Sequence, residues 1–355
     1  MIRFTWLQSR GQTVVAFAGL AIVAVVLAVT GPHLVHLYDT TVANCRVDGD
    51  CAAASSAFLK EDRALQIALN ALVVVIPGVI GLFWGAPLVA RELEEHTFRL
   101  AWTQSVTRAR WLATKLGVVG LVSMAVAGLL SLMVTWWSSP VDRLSMSQFG
   151  SFDYRDIVPI GYAAFAFALG VTAGVLLRAT LPAMATALAA FVFARLAMTH
   201  WIRPHLIIPA QQHLALDPAS TGYGYEGFML LGSHQSTLEP APPNIPGAWI
   251  TSIQLVDKSG HGLTTQFLTR TCPDINGGGP GGGGSGGGSH TRVSASAQQG
   301  LEDCVAKVGR TFHEVVTYQP GSRYWAFQWY ELAIYLGVAV VLGGCCLWWV
   351  RRRLT

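Results

Sequence analysis

Along most of this chain apolar residues come in long unbroken runs, separated by short polar stretches. Residues 12–30, QTVVAFAGLAIVAVVLAVT, hold no charge over 19 positions. At ~1.5 Å of helix rise per residue that is enough to cross about 30 Å of hydrocarbon. Similar runs lie at about 64–90, 113–137, 157–177, 181–201 and 325–350. The pattern predicts six transmembrane helices, spans 1 to 6, and hence an all-α membrane protein. A signal peptide is the alternative for the first run. Its length and the lack of a small-x-small cleavage site favour a retained anchor. Ahead of it, residues 1–10 set Arg3 and Arg10 beside Phe4 and Trp6, which predicts a short amphipathic helix at the membrane surface. Span 2 carries Asn70 and the pair Pro77-Gly78; proline removes a backbone donor, which predicts a kink. Trp136-Trp137 ends span 3 as an interfacial pair.

Residues 202–324 break this pattern. They are rich in Pro, Gly, Ser and Thr, with short alternating runs at Ala248–Ile250 and Ile253–Val256. They predict a mixed domain with some strand, carrying a coil-like insert at Gly277–Ser289, GGGPGGGGSGGGS. A short polar loop is expected at 138–156. The organisation is therefore 1–201 with spans 1 to 5, 202–324 as an extracellular domain, and 325–355 with span 6 and a basic tail.

Composition agrees with a membrane protein: 52% of residues are hydrophobic and 12% charged, where soluble domains carry about a quarter charged. The net charge of +4 is small, and no basic face lies outside short segments, so no nucleic-acid partner is expected. Arg3, Arg10, the cluster at 91–115, Arg178 and Arg351–Arg353 all fall on one side of a six-span bundle. By the positive-inside rule that side is cytoplasmic, with both termini, and the expected location is the cell membrane. Cys45, Cys51, Cys272 and Cys304 then lie outside, where disulfides persist. Three pairings are possible; Cys45–Cys51 and Cys272–Cys304 are favoured because each closes a local loop. His33 and His36 form an H-x-x-H, but no third ligand converges with them in the sequence, and no metal site is expected. No catalytic constellation and no G-x-x-x-x-G-K-[ST] string occurs, so the chain is expected not to be an enzyme, and any nucleotide would be brought by another polypeptide.

The most charged stretch is 91–116, RELEEHTFRLAWTQSVTRARWLATKL. Residues 91–112 read as a helix outside the bilayer core. Glu92, Glu95, Arg99 and Thr103 make a polar stripe; Leu93, Phe98, Leu100 and Trp102 supply apolar surface. The alternative is an ordinary basic cytoplasmic loop. Within the spans Arg195 and Glu331 are the clearest charges. Each lies six residues below a tryptophan, Trp201 or Trp325, at a depth of roughly 9 Å at ~1.5 Å per residue. They are expected to pair, as a structural link or at an outer gate.

Arg91-Glu92, His96-Thr97, Phe98–Trp102, Thr103–Arg108 and Lys115 together resemble the permease of an ABC-2 type transporter. The string PLVARELEEHTFRLAWTQSVTRARWLATK, the opening MIRFTWLQSR and the ending RYWAFQWYE…WWVRRRL are similar to its actinobacterial-type exporter branch. His96 stands where that family often has glycine. The resemblance implies a dimer of permeases in membrane lipid, each copy binding a cytoplasmic ABC ATPase subunit that holds ATP and Mg. It implies that the helix between spans 2 and 3 docks on that subunit through Arg91, Glu92, Glu94, Glu95, Thr97, Arg99, Trp102 and Arg108, with Trp111 as a second anchor. It also implies a conduit along spans 2 and 5, for which Asn70, Phe83, Trp84, Met184, Phe191 and Phe193 are candidates. The expected function is export of a hydrophobic or amphipathic compound; the alternative is a non-transporting complex that drives an extracytoplasmic partner.

Overall fold

The computed structural model describes residues 2–43, 45, 51–94, 107–144, 147–216, 228–230, 238–240, 243, 245–272 and 295–353, with the side chains of 2–9, 52–53, 93, 108, 228–230, 238–240, 295–298, 300–302 and 353 left aside. They form two compact units, Met1–Ile207 with Arg323–Thr355, and Ile208–Ser322.

The first unit holds six helices long and apolar enough to cross a membrane. Span 1 lies in the helix Ile2–Leu37. Span 2 is built from Arg63–Ile80, a wide π-helical segment Gly81–Gly85, and Ala86–Glu94. Span 3 is Arg108–Trp137 and span 4 Val158–Leu177. Span 5 is Thr180–Ala197, prolonged by short helical turns to His205. Span 6 lies in Tyr324–Arg353.

Span 4 is the axis of the bundle. In its most apolar stretch 67% of residues are buried, against 17% in spans 1 and 6. Spans 1 and 6 therefore turn most of their surface outward. Span 4 is rich in small residues, including Gly161, Ala163, Ala166, Gly170 and Gly174. Spans 2 and 4 touch backbone to backbone where two G-x-x-x-G strings meet, Gly81/Gly85 on one and Gly170/Gly174 on the other. A Cβ at Gly81 would sit 2.6 Å from the Ala166 carbonyl oxygen, and one at Gly174 2.6 Å from that of Ala86. Only glycine lets two membrane helices approach this closely.

Several sequence expectations shift here. The amphipathic lead-in is no separate element: the helix runs unbroken from Ile2 through Pro32 to Leu37. Its far half packs on span 3, with Gly31 against the Trp136 ring and Trp137 Nε1 donating to Thr30 Oγ1 at 2.9 Å. Helix beyond residue 30 thus has a partner to hold it. The interfacial tryptophan pair is split, Trp136 exposed and Trp137 buried. In span 2 the irregularity falls at Gly81–Gly85, beyond Pro77, which stays inside regular helix. The loop 138–156 is not simply polar. It forms the turns Ser139–Asp142 and Gln148–Tyr154, and buries Phe149 and Phe152 edge-on against Tyr324.

The second unit contains an antiparallel sheet in the order β1-β5-β4, with β1 Ala210–Ala215, β4 Trp249–Asp257 and β5 Phe312–Gln319. A two-stranded pair, β2 Phe228–Leu230 and β3 Leu238–Pro240, accompanies it. Both alternating runs seen in the sequence fall in or beside β4. Its core gathers Leu216, Leu255, Leu268, Val305, Val308 and Phe312. A disulfide joins Cys272 to Cys304, with Cα atoms 5.5 Å apart. The glycine-rich insert 277–289 falls between these cysteines and lies outside the described residues. In the first unit Cys45 is linked to Cys51.

Candidate functional site

Two sets of charged side chains stand at opposite ends of the helix bundle. At the basic end, Glu92 on span 2 pairs with Lys115 on span 3. Lys115 is almost fully buried, and its ammonium lies 4.7 Å from the centre of the Trp111 ring. Burying a lysine is costly unless a partner and an aromatic face replace its water. Trp111 belongs to the core here and is buried, not an interfacial anchor. Two residues beyond Glu92, about half a helical turn on, Glu94 reaches span 5. Its Oε2 accepts from Thr180 Oγ1 at 2.7 Å and from the Thr180 backbone N–H at 3.2 Å.

Thr180 is the first residue of span 5, so Glu94 satisfies an orphan amide at a helix N-terminus, where negative charge is favoured. The Thr180 hydroxyl, then its amide, holds the exposed Glu94 carboxyl below the usual glutamate range. The link is possible because spans 4 and 5 join in a tight turn. Arg178 closes span 4 in the left-handed conformation, φ 56°, with its N–H bonded to the Gly174 carbonyl.

Of the docking residues expected between spans 2 and 3, Arg91, Glu92 and Glu94 continue the helix of span 2, and Arg108 opens that of span 3. The Thr107 hydroxyl caps it, accepting from the Arg110 N–H at 3.4 Å. At both of its ends the stretch 91–112 thus belongs to spans and not to a separate helix. Glu95, Thr97, Arg99 and Trp102 lie outside the described residues.

At the far end, Arg195 and Glu331 come within 3.9 Å, but each has a closer partner. Arg203 offers Nε and Nη2 to the two oxygens of Glu331 at 2.9 and 3.0 Å. It also bonds both oxygens of Asp153. Arg195 donates to Asp153 at 3.3 Å, and its guanidinium lies 3.5 Å from the centre of the Tyr162 ring. Tyr162 donates to Glu331 at 2.6 Å and stands 3.1 Å from Asp153. Two arginines and two carboxylates neutralise one another, and the forked guanidinium of Arg203 matches a carboxylate edge. The cluster joins the turn Gln148–Tyr154 to spans 4, 5 and 6. Beside it Gln328 accepts from the Val158 N–H and donates to the Phe152 carbonyl, and Tyr324 donates to Asp156 at 2.6 Å.

Sequence reasoning had Arg195 and Glu331 but missed Arg203, Asp153 and Tyr162. Arg203 was assigned to the extracellular domain, yet it belongs to the first unit. A signal was present: Arg203 lies eight residues after Arg195, two helical turns on and near the same face.

The conduit candidates do not converge. Phe83 and Trp84 line one groove of about 700 Å³ with spans 1 and 3. Phe191 is buried against Gly78. Met184 packs beside Ala86, Ala90 and Ala183. Phe193 is exposed, and Asn70 has a buried Oδ1 without a hydrogen bond among the described residues.

Compared with known families, residues 17–203 match the family described as ABC-2 membrane transporter related. Searches of curated proteins and of solved structures return no match. The matched stretch covers more than half of the chain and runs from span 1 through span 5 to Arg203. Six apolar helices fit a multi-pass membrane protein of that kind, whose members in general work with an ATPase partner. The chain belongs to the ABC-2 membrane transporter related family.

Proposed function

We propose that this chain is the membrane subunit of an ABC exporter. ATP, with Mg2+, is bound and hydrolysed by a separate cytoplasmic ATPase subunit, and the stretch 91–112 carries that subunit's closure into the bundle. Two copies of the chain flank the export path in the cell membrane. The cargo is a hydrophobic or amphipathic compound. One observation carries the reading: the segment between spans 2 and 3 is tied at its base to three helices. Glu92 fastens it to span 3 and Glu94 to span 5, so a push on the segment reaches spans 2, 3 and 5 together. A loop without such ties would absorb the displacement. The second reading, a complex that drives an extracytoplasmic partner, draws on the separately folded unit Ile208–Ser322.

The test is co-purification with the partner ATPase and its hydrolysis rate in vesicles. Glu92 and Glu94 have partners within the chain, so Glu95→Ala with Arg99→Ala isolates docking. Loss of co-purification and of stimulated hydrolysis is expected; full retention of both would refute docking through this segment.

A further inference from the structure

Spans 1, 2 and 3 enclose an apolar groove of about 700 Å³. Its floor on span 1 follows one helix face, Gly11, Val15, Gly19 and Val23, four residues apart. Phe83 and Trp84 form the opposite wall. From Gly11 to Val23 the groove runs roughly 18 Å at ~1.5 Å per residue, a little more than one leaflet of a ~30 Å hydrocarbon core. Gly11 and Gly19 have no packing reason to be glycine: a Cβ at either would meet nothing within 4 Å. Glycine inside a helix costs about 1 kcal/mol relative to alanine. What these two glycines do is widen the groove. Phe83, on the opposite wall, stays half exposed.

The two ends of the groove differ. Gln12 is its polar lining residue, and Arg10, exposed, precedes Gly11 at the same end. That is the end of span 1 nearest the basic end of the bundle. The remainder is aliphatic or aromatic. Water gains nothing in such a space, and within a bilayer the matching occupant is a hydrocarbon chain. A guanidinium at its polar end matches an anionic head.

We propose that this groove binds one acyl chain of an anionic phospholipid from the leaflet at the basic end, with the lipid phosphate near Arg10. The site uses no residue of span 5; it shares Phe83 and Trp84 of span 2 with the conduit candidates but opens toward spans 1 and 3. It needs no ATPase, so its test stands apart from the exporter reading.

The experiment uses the purified full chain in mixed micelles with phosphatidylglycerol carrying a photoreactive group on its acyl chain, and maps the labelled residues. On the unaltered chain, labelling of the span 1 and span 2 walls is expected to saturate. Unlabelled phosphatidylglycerol should compete it away, and phosphatidylcholine should do so poorly. Labelling of outward residues such as Val340 and Val341 should not saturate. Filling the groove by Gly11→Leu with Gly19→Leu should lower the saturable labelling roughly tenfold, the consequence of displacing a few buried methylenes. Arg10→Gln should remove the preference for the anionic lipid. Unsaturable labelling of the groove in the unaltered chain overturns the proposal without any variant having to fold. Equal competition by phosphatidylcholine overturns the anionic head. Labelling unchanged in the leucine variant overturns the location.

Discussion

The two charged ends of the bundle hold their helices by different means. At the far end five side chains, Asp153, Tyr162, Arg195, Arg203 and Glu331, share contacts across spans 4, 5 and 6, and Glu331 is fully buried. At the basic end each tie is a single carboxylate: Glu92 to Lys115 across spans 2 and 3, Glu94 to Thr180 across spans 2 and 5. Glu94 is exposed. A shared, buried network has no cheap alternative arrangement, because moving one member strands another without water. Glu94, exposed, can let go and be hydrated, whereas releasing Glu92 would strand the buried Lys115. The far end thus fastens spans 4, 5 and 6 by a shared network, and the basic end links span 2 to spans 3 and 5 by lighter ties, which the proposed exporter would use to carry motion.

Breaking the far-end network should have the largest effect. Glu331→Gln removes the fully buried carboxylate that Arg203 and Tyr162 share and leaves Asp153 to face both arginines; it is expected to cost about 3 kcal/mol, read as a fall in thermal unfolding temperature in detergent. Exchanging Arg195 and Glu331 should not restore stability, because Glu331 bonds Arg203 more closely than Arg195. A full rescue by that exchange would show a simple pair and undo the contrast.

The basic-end pair should behave otherwise. Glu92→Gln with Lys115→Met replaces both partners, and the methionine fills the lysine's place beside Trp111; such replacements are often neutral, within about 1 kcal/mol. Hydrolysis stimulated in the partner ATPase should nevertheless fall. Unaltered stimulation at unaltered stability would deny the pair a role in transmission.

The smallest effect is the pH response of Glu94. Its folded pKa lies below its unfolded value, so its stabilisation is full above the ordinary glutamate range and is lost as pH falls through the lowered value. Glu94→Gln should flatten that acid limb of the unfolding curve and leave neutral pH nearly unchanged.

Much of this was legible beforehand, for physical reasons. Uncharged runs of about 20 residues have few other uses, so all six spans could be read. The ends of spans were harder. Helix past residue 30 depends on Thr30 and Gly31 meeting Trp137 and Trp136, which no local pattern announces. Asp153 sits in a stretch whose polarity masks the burial of Phe149 and Phe152. Arg203 follows the apolar run, in a segment with Pro204 and His205 that reads as loop. The glycines of the span 2–span 4 crossing were in view as two G-x-x-x-G strings, but which helices they join is a tertiary fact. Glu92 and Glu94 were read as surface charge, since their partners lie 23 and 86 residues away.

On the proposed exporter reading, spans 2, 3 and 5 move together at the basic end while the far-end cluster holds. Glu94→Cys with Thr180→Cys, in a chain with Cys345 and Cys346 replaced by serine, would lock spans 2 and 5 together at the basic end on oxidation. With the partner ATPase in vesicles, the stimulated hydrolysis rate is the readout. The account predicts that the rate, lowered in the reduced pair for want of the Glu94 tie, is raised by oxidation, because the cross-link again carries the push to spans 2 and 5 together. A rate lowered by the cross-link would show that the two spans must part at this end and would contradict it.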